Sequence, residues 1–152
     1  MVDVGSMAPE VALLLADGSE TSAGAFRGRK LVVYFYPKDD TPGCTNEAKA
    51  FSALMPAFEK AGIAVVGVSK DSAKSHAKFI AKYDLKVALA ADTDGSVCDA
   101  FGVWVEKSMY GKTYMGIERA TFLIDADGRI AQVWRKVKVA GHAESVLSAA
   151  TA

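Results

Sequence analysis

Cysteine is scarce: only Cys44 and Cys98 occur in the 152 residues. Two cysteines cannot build a disulfide framework, and a core of this size does not need one. An excess of charge of either sign is also missing, since 18 basic residues balance 18 acidic ones. The chain therefore lacks the electrostatic footprint of a nucleic-acid binder. Its densest basic cluster, WRKVK at 134–138, reads as one face of a strand and is too short to argue for a membrane surface. No apolar window approaches the length of a membrane span, and MVDVGSMAPE carries acids where a leader has a basic stretch and then an apolar one. The two histidines and two cysteines do not have metal-ligand spacing. With no repeat, low-complexity tract or linker, residues 1–152 are expected to form one soluble, cytoplasmic domain, and no metal, haem or flavin is implied.

What is present is an alternation of apolar runs and helical patterns. Val11, Leu13 and Leu15 alternate before the turn ADGS, which predicts a short N-terminal strand or hairpin. GSETSAGAFRGRK at 18–30 is rich in turn formers and reads as a surface connection. LVVYFY at 31–36 is a continuous β-branched and aromatic run, the pattern of a strand buried on both faces. Thr41 and Pro42 suit the cap and first position of a helix, with apolar residues at 48, 51, 54, 55 and 58, and Pro56 predicts a late kink or break. IAVVGVS at 63–69 is a second buried strand. A helix follows over 71–85, with Ala73, Ala77, Ile80 and Tyr83 as its expected apolar face. VALAAD makes a short strand, GSVCDAFGV a short helix ending at Gly102, RATFLID and RIAQVWRKV a hairpin around ADG, and AGHAESVLSAA a closing helix with Val146 and Leu147 inward. This order predicts an α/β thioredoxin-like fold, with a mixed central sheet, helices on both faces and an N-terminal extension.

Cys44 falls in the first turn of the helix that starts near Thr41, beyond the carboxyl end of a central strand, where open α/β sheets place their sites. Free backbone N–H groups and the helix dipole favour negative charge there. A thiol so placed is held more as the nucleophilic thiolate. Gly43 leaves the approach open, and Thr41, one turn earlier, offers a hydroxyl to the sulfur or to an oxygen bound beside it. Burial as a small hydrophobe is the alternative role for such a cysteine. Thioredoxin-type dithiol exchange is excluded, because the partner position of a C-x-x-C motif is Thr41.

YPKDDTPGCTNEA resembles the P-x-x-x-T-x-x-C signature of peroxiredoxins, through Pro37, Thr41 and Cys44. FYPKD and TPGCT, together with FGVWVEKSMYGKTYMGIERATFLID further on, are similar to the peroxiredoxin Q, or bacterioferritin comigratory protein, branch. The likeness runs from about residue 8 to the last helix. It implies a thiol peroxidase that reduces hydrogen peroxide and organic hydroperoxides, with Cys44 attacking the peroxide and passing through a sulfenic acid. By the same resemblance, Pro37 packs over the pocket and shields the sulfur, Thr41 donates to the reacting oxygen, and Arg119 supplies the cation. Glu47 is assigned the orientation of Arg119, against an ordinary helix-surface acid. A non-catalytic thioredoxin-like binding or chaperone module is the alternative, and it predicts an unreactive Cys44.

The branch places its resolving cysteine at positions that here hold Lys49 or align near Ile80. Cys98, amid Val97, Ala100 and Phe101, is then either a packing residue or an unusual resolving thiol whose use requires the first turn at Cys44 to unwind. Otherwise the cycle uses one cysteine and an external thiol: thioredoxin, glutaredoxin or glutathione. The likeness leans toward a monomer. His76 is expected to be solvated and His142 to be a surface or capping-region residue. Trp104, Tyr110 and Tyr114 are expected in a loop beside the active site, with Met109 and Met115 either forming an apolar rim for organic peroxides or packing in the core or loop.

Overall fold

The computed structural model describes residues 2–152. Its centre is a seven-stranded sheet in the order β2-β1-β5-β4-β3-β8-β9. Strands β3 (Leu31–Phe35), β4 (Ala64–Ser69) and β5 (Ala88–Ala91) run parallel. The flanking strands are antiparallel: β1 (Ala12–Leu15) and β2 (Glu20–Ser22) at one edge, β8 (Ala120–Ile124) and β9 (Ile130–Trp134) at the other. Parallel neighbours need crossover helices. These are α1 (Pro42–Lys60) and α2 (Ala73–Tyr83), joined by a short α3 (Ser96–Ala100) and a closing α4 (His142–Ala150). The mixed sheet is that of a thioredoxin-like fold.

Strand periodicity divides the interior in two. Along β3, Val32, Tyr34 and Tyr36 point to a core shared with α1, α2 and α4, whereas Leu31, Val33 and Phe35 point to a core shared with α3 and the inner ends of the surrounding loops. Cys44 belongs to the first core and Cys98 to the second. Tyr34 sets α1 on the sheet by stacking on Phe51, with 4.5 Å between ring centroids. The ring needs Gly67 beneath it, because a Cβ there would lie 2.5 Å from the ring.

Several expectations need correction. The turn-rich 18–30 stretch contains β2 and a 3₁₀ turn, Ala23–Phe26. Helix α1 continues through Pro56. That proline is exposed, so its ring lies on the solvent side of the helix rather than in the core. The inward face of α2 is centred on His76 and Phe79, with Ile80 and Tyr83 beside them, while Ala77 is exposed. Strand β9 ends at Trp134, so most of WRKVK lies outside it. Residues 104–117 are not a loop but an antiparallel ribbon, β6 (Trp104–Met109) and β7 (Lys112–Ile117). Tyr110 and Gly111 both have positive φ at its tip, the two-residue turn that matches strand twist. Among the described residues no helix is long and apolar enough to cross a membrane.

Candidate active site

The antiparallel pairing of β3 with β8 sets Phe35 opposite Ala120. The residue before β8, Arg119, therefore meets the chain just beyond the carboxyl end of β3, where α1 begins. Its backbone is pinned from the other side, as the Val137 N–H donates to its carbonyl at 3.0 Å. The guanidinium then spans two groups of α1. Nη1 donates to Oε1 of Glu47 at 2.7 Å, and Nη2 donates to Sγ of Cys44 at 3.4 Å. Cys44 and Glu47 are three residues apart and share a helix face, so a single planar fork reaches both. Gly43 eases this approach: a Cβ there would lie 3.3 Å from Nη2, a tight contact.

The start of α1 is open to an anion. Thr41 is its N-cap, but the side chain makes no capping bond and no acid lies in the first turn. The Thr41 hydroxyl instead donates to the Lys38 carbonyl at 2.8 Å. The hydroxyl is expected from the sequence to serve the sulfur or an oxygen bound beside it; in the structure its proton is given to this carbonyl within the turn. Pro37 is exposed, and Cys44 belongs to the core that holds Tyr34, Tyr36 and Phe51. Cys44 itself is 2% exposed.

Glu47 is not the surface acid of the alternative reading, since its side chain is 1% exposed. Burial raises its carboxyl to about 7, against the opposing pull of Arg119. Its second oxygen has no partner among the described residues. Burial would lower Arg119, yet Glu47 and Cys44 outweigh it and hold the guanidinium above its ordinary value. Arg119 is the most accessible of the three, with 18% of its side chain exposed.

The structure does not bring Cys98 to this site. It lies fully buried in the core on the other face of the sheet. Burial raises its thiol above the ordinary range, and the neighbouring Asp92 carboxylate adds to the effect. Met109, Tyr110 and Met115 are exposed on the ribbon, whose inner end, Val103 and Ile117, joins the core opposite Cys44. Both histidines are buried. His142 Nε2 lies 2.7 Å from the Thr121 hydroxyl oxygen, and its ring meets Phe51 and Trp134 edge to face. Burial first, and Arg119 second, lower it to about 4. Gly141 before a helix start gave no sign of this aromatic box, which is built from three distant elements.

The sequence profile of the AhpC/TSA family matches residues 4–133. The chain is a peroxiredoxin of this family. It is 53% identical to Peroxiredoxin Bcp of Xanthomonas campestris over 140 residues, covering 92% of this chain and 88% of that protein. It is 44% identical to Peroxiredoxin Bcp of Escherichia coli K12 over 144 residues, covering 95% and 92%. A solved structure of the Xanthomonas campestris bacterioferritin comigratory protein, studied for alkyl peroxide reduction, superposes with a TM-score of 0.91 at 49% identity and covers 97% of each chain. As a peroxiredoxin the chain is a thiol peroxidase, and the sulfur chemistry must run on one of two cysteines.

Proposed function

We propose that Cys44 reduces hydrogen peroxide and organic hydroperoxides in a one-cysteine cycle completed by an external thiol. The observation that carries this reading is the guanidinium of Arg119 on Cys44 Sγ at the uncapped start of α1. Cation and helix terminus both favour negative charge on the sulfur. The thiolate attacks the nearer peroxide oxygen, an S–O bond forms and the O–O bond breaks. The sulfur loses two electrons and becomes a sulfenic acid, while the leaving oxygen takes a proton and departs as water or an alcohol. Arg119 and the free N–H groups steady the charge that grows on that oxygen. Because the proton of Thr41 is committed to Lys38, the hydroxyl presents its lone pairs and accepts a hydrogen bond from a hydroperoxide O–H. The alkyl peroxide chemistry studied in the Xanthomonas campestris relative supports the organic substrates.

The sulfenic acid then needs a reductant. The sheet separates Cys98 from Cys44, and a disulfide requires Cα atoms within about 7 Å. An external thiol condenses with the sulfenic acid, releasing water, and a second thiol reduces the mixed disulfide to regenerate Cys44. Thioredoxin, glutaredoxin and glutathione all supply that chemistry. A cytoplasmic monomer is consistent with it. The test is mass spectrometry after one equivalent of peroxide with a sulfenic-acid trap. A trapped adduct on Cys44 alone is expected. A Cys44–Cys98 disulfide would overturn the one-cysteine cycle, and unmodified Cys44 would overturn the assignment of the nucleophile.

A further inference from the structure

His76 is fully buried although it stands on a helix of lysines and serines, and the chemistry above does not use it. Both ring nitrogens are engaged. Nε2 lies 2.9 Å from the Ala90 carbonyl, which can only accept, and Nδ1 lies 2.8 Å from Oδ2 of Asp39. Asp39 is itself the hub of a network. Its Oδ1 accepts from the Tyr36 hydroxyl at 2.6 Å and its Oδ2 from the Ser75 hydroxyl at 2.8 Å. Its backbone N–H donates to Asp71 at 2.9 Å, and Asp71 is fixed by the Ser69 hydroxyl at 2.6 Å. Burial alone would raise the Asp39 carboxyl, but the bonds from His76 and Tyr36 hold it below its ordinary value.

This hub sits inside the turn that prepares the peroxide site. Lys38, its neighbour, supplies the carbonyl that holds the Thr41 hydroxyl. Asp40, on the other side, is held in the left-handed region at φ 57, a costly state for a residue other than glycine. A second tie runs from Asp40 to Lys82 and Tyr83 of α2, but it is exposed and worth little. An open groove of about 560 Å³ runs between the turn and α2, lined by Lys38, Asp40, Lys74 and Lys78, with Asp39 and Ser75 of the hub also on its wall. Beside it, the hydrogen bonds of Ser75 and His76 to Asp39 tie the turn to α2.

We propose that Asp39 and His76 are positioning residues for peroxide reduction: they clamp the 38–41 turn to α2 and so fix the Thr41 hydroxyl against the substrate. The inference rests on Cys44 and Thr41 acting as described above. The clamp leaves the Arg119–Cys44 contact untouched, so its loss affects peroxide more than general thiol chemistry.

The test compares oxidation of Cys44 by hydrogen peroxide with its alkylation by iodoacetamide, in wild type and in His76→Asn. Misplacing the turn lowers the oxidation rate constant by about tenfold to a hundredfold, with alkylation changed far less. Thr41→Val should abolish the dependence, so that adding His76→Asn to it costs nothing more. An unchanged oxidation rate, equal losses in both reactions, or losses that multiply in the double variant would each overturn the proposal. If His76→Asn does not fold, Tyr36→Phe, which deletes one donor to Asp39 without emptying the core, answers the same question with a smaller fall. If wild type fails to react with peroxide, the functional reading falls instead. Amide exchange across 38–44 then still decides the clamp, since faster exchange in the variant is required by it.

Discussion

The two cysteines occupy the same place in their helices and opposite surroundings. Each is the third helical residue, Cys44 of α1 and Cys98 of α3, and each is buried. At Cys98 the helix start is already satisfied by an anion: Asp92 accepts from the backbone N–H of Val97 at 3.0 Å and of Cys98 at 2.8 Å. Burial pushes the thiol up, and a second negative charge there would also face a carboxylate. At Cys44 no side chain caps the helix, and a guanidinium rests on the sulfur. The helix position alone does not make a reactive cysteine. What matters is whether the terminus has been left free and whether a cation stands by.

The strongest way to break this contrast is to exchange the two sulfurs for oxygen. Cys44→Ser should leave no peroxide turnover, whereas Cys98→Ser should still complete the first oxidation in a single-turnover assay while losing stability, since it buries a hydroxyl in an apolar core. A lost first oxidation in Cys98→Ser would reverse the assignment. Next in size, Arg119→Ala should slow oxidation by about 10²–10³-fold in a protein that still shows native circular dichroism. It also strands Glu47 in the core. Arg119→Ala/Glu47→Gln should therefore unfold at higher urea than Arg119→Ala at pH 8 without recovering the rate.

Titration sharpens the comparison further. Glu47 is raised from 4.5 to about 7 in the fold, so its contribution is full below pH 4.5 and falls as pH rises through 7. His142 is lowered from 6.5 to about 4, so its contribution is full above pH 6.5 and falls as pH drops through 4. Urea unfolding across pH 4–8 should show stability declining on both sides. Glu47→Gln should flatten the upper side and His142→Asn the lower, each by on the order of 1–3 kcal/mol. A variant curve parallel to wild type would refute the corresponding assignment. The smallest effect is expected at the cap of α3: Asp92→Ala should cost about 1 kcal/mol and leave the oxidation rate of Cys44 unchanged.

Much of this molecule is legible in its residues, unevenly. The run LVVYFY needs no partner to be read as a buried strand, and TPGC announces a helix start beside it. Arg119 could be placed only through resemblance, because nothing local distinguishes it from a solvated arginine; strand register brings it to the sulfur. The ribbon β6–β7 was hidden because its strands are largely exposed and their apolar residues do not alternate cleanly, though Tyr110-Gly111 at its tip is a hairpin signal. His76 and His142 defeat a local reading altogether. Each is buried by partners distant in sequence, Asp39 and Ala90 for one, Thr121 and Trp134 for the other.

Gly43 narrows the sequences that can carry this site. Arg119 is tied at both ends of its fork, so the few tenths of an ångström it would give to a methyl group at 3.3 Å come out of its bonds to Glu47 and the sulfur. A library randomised over 42–46 and selected for survival on peroxide should thus come back enriched in glycine at 43, even where its flanks have drifted.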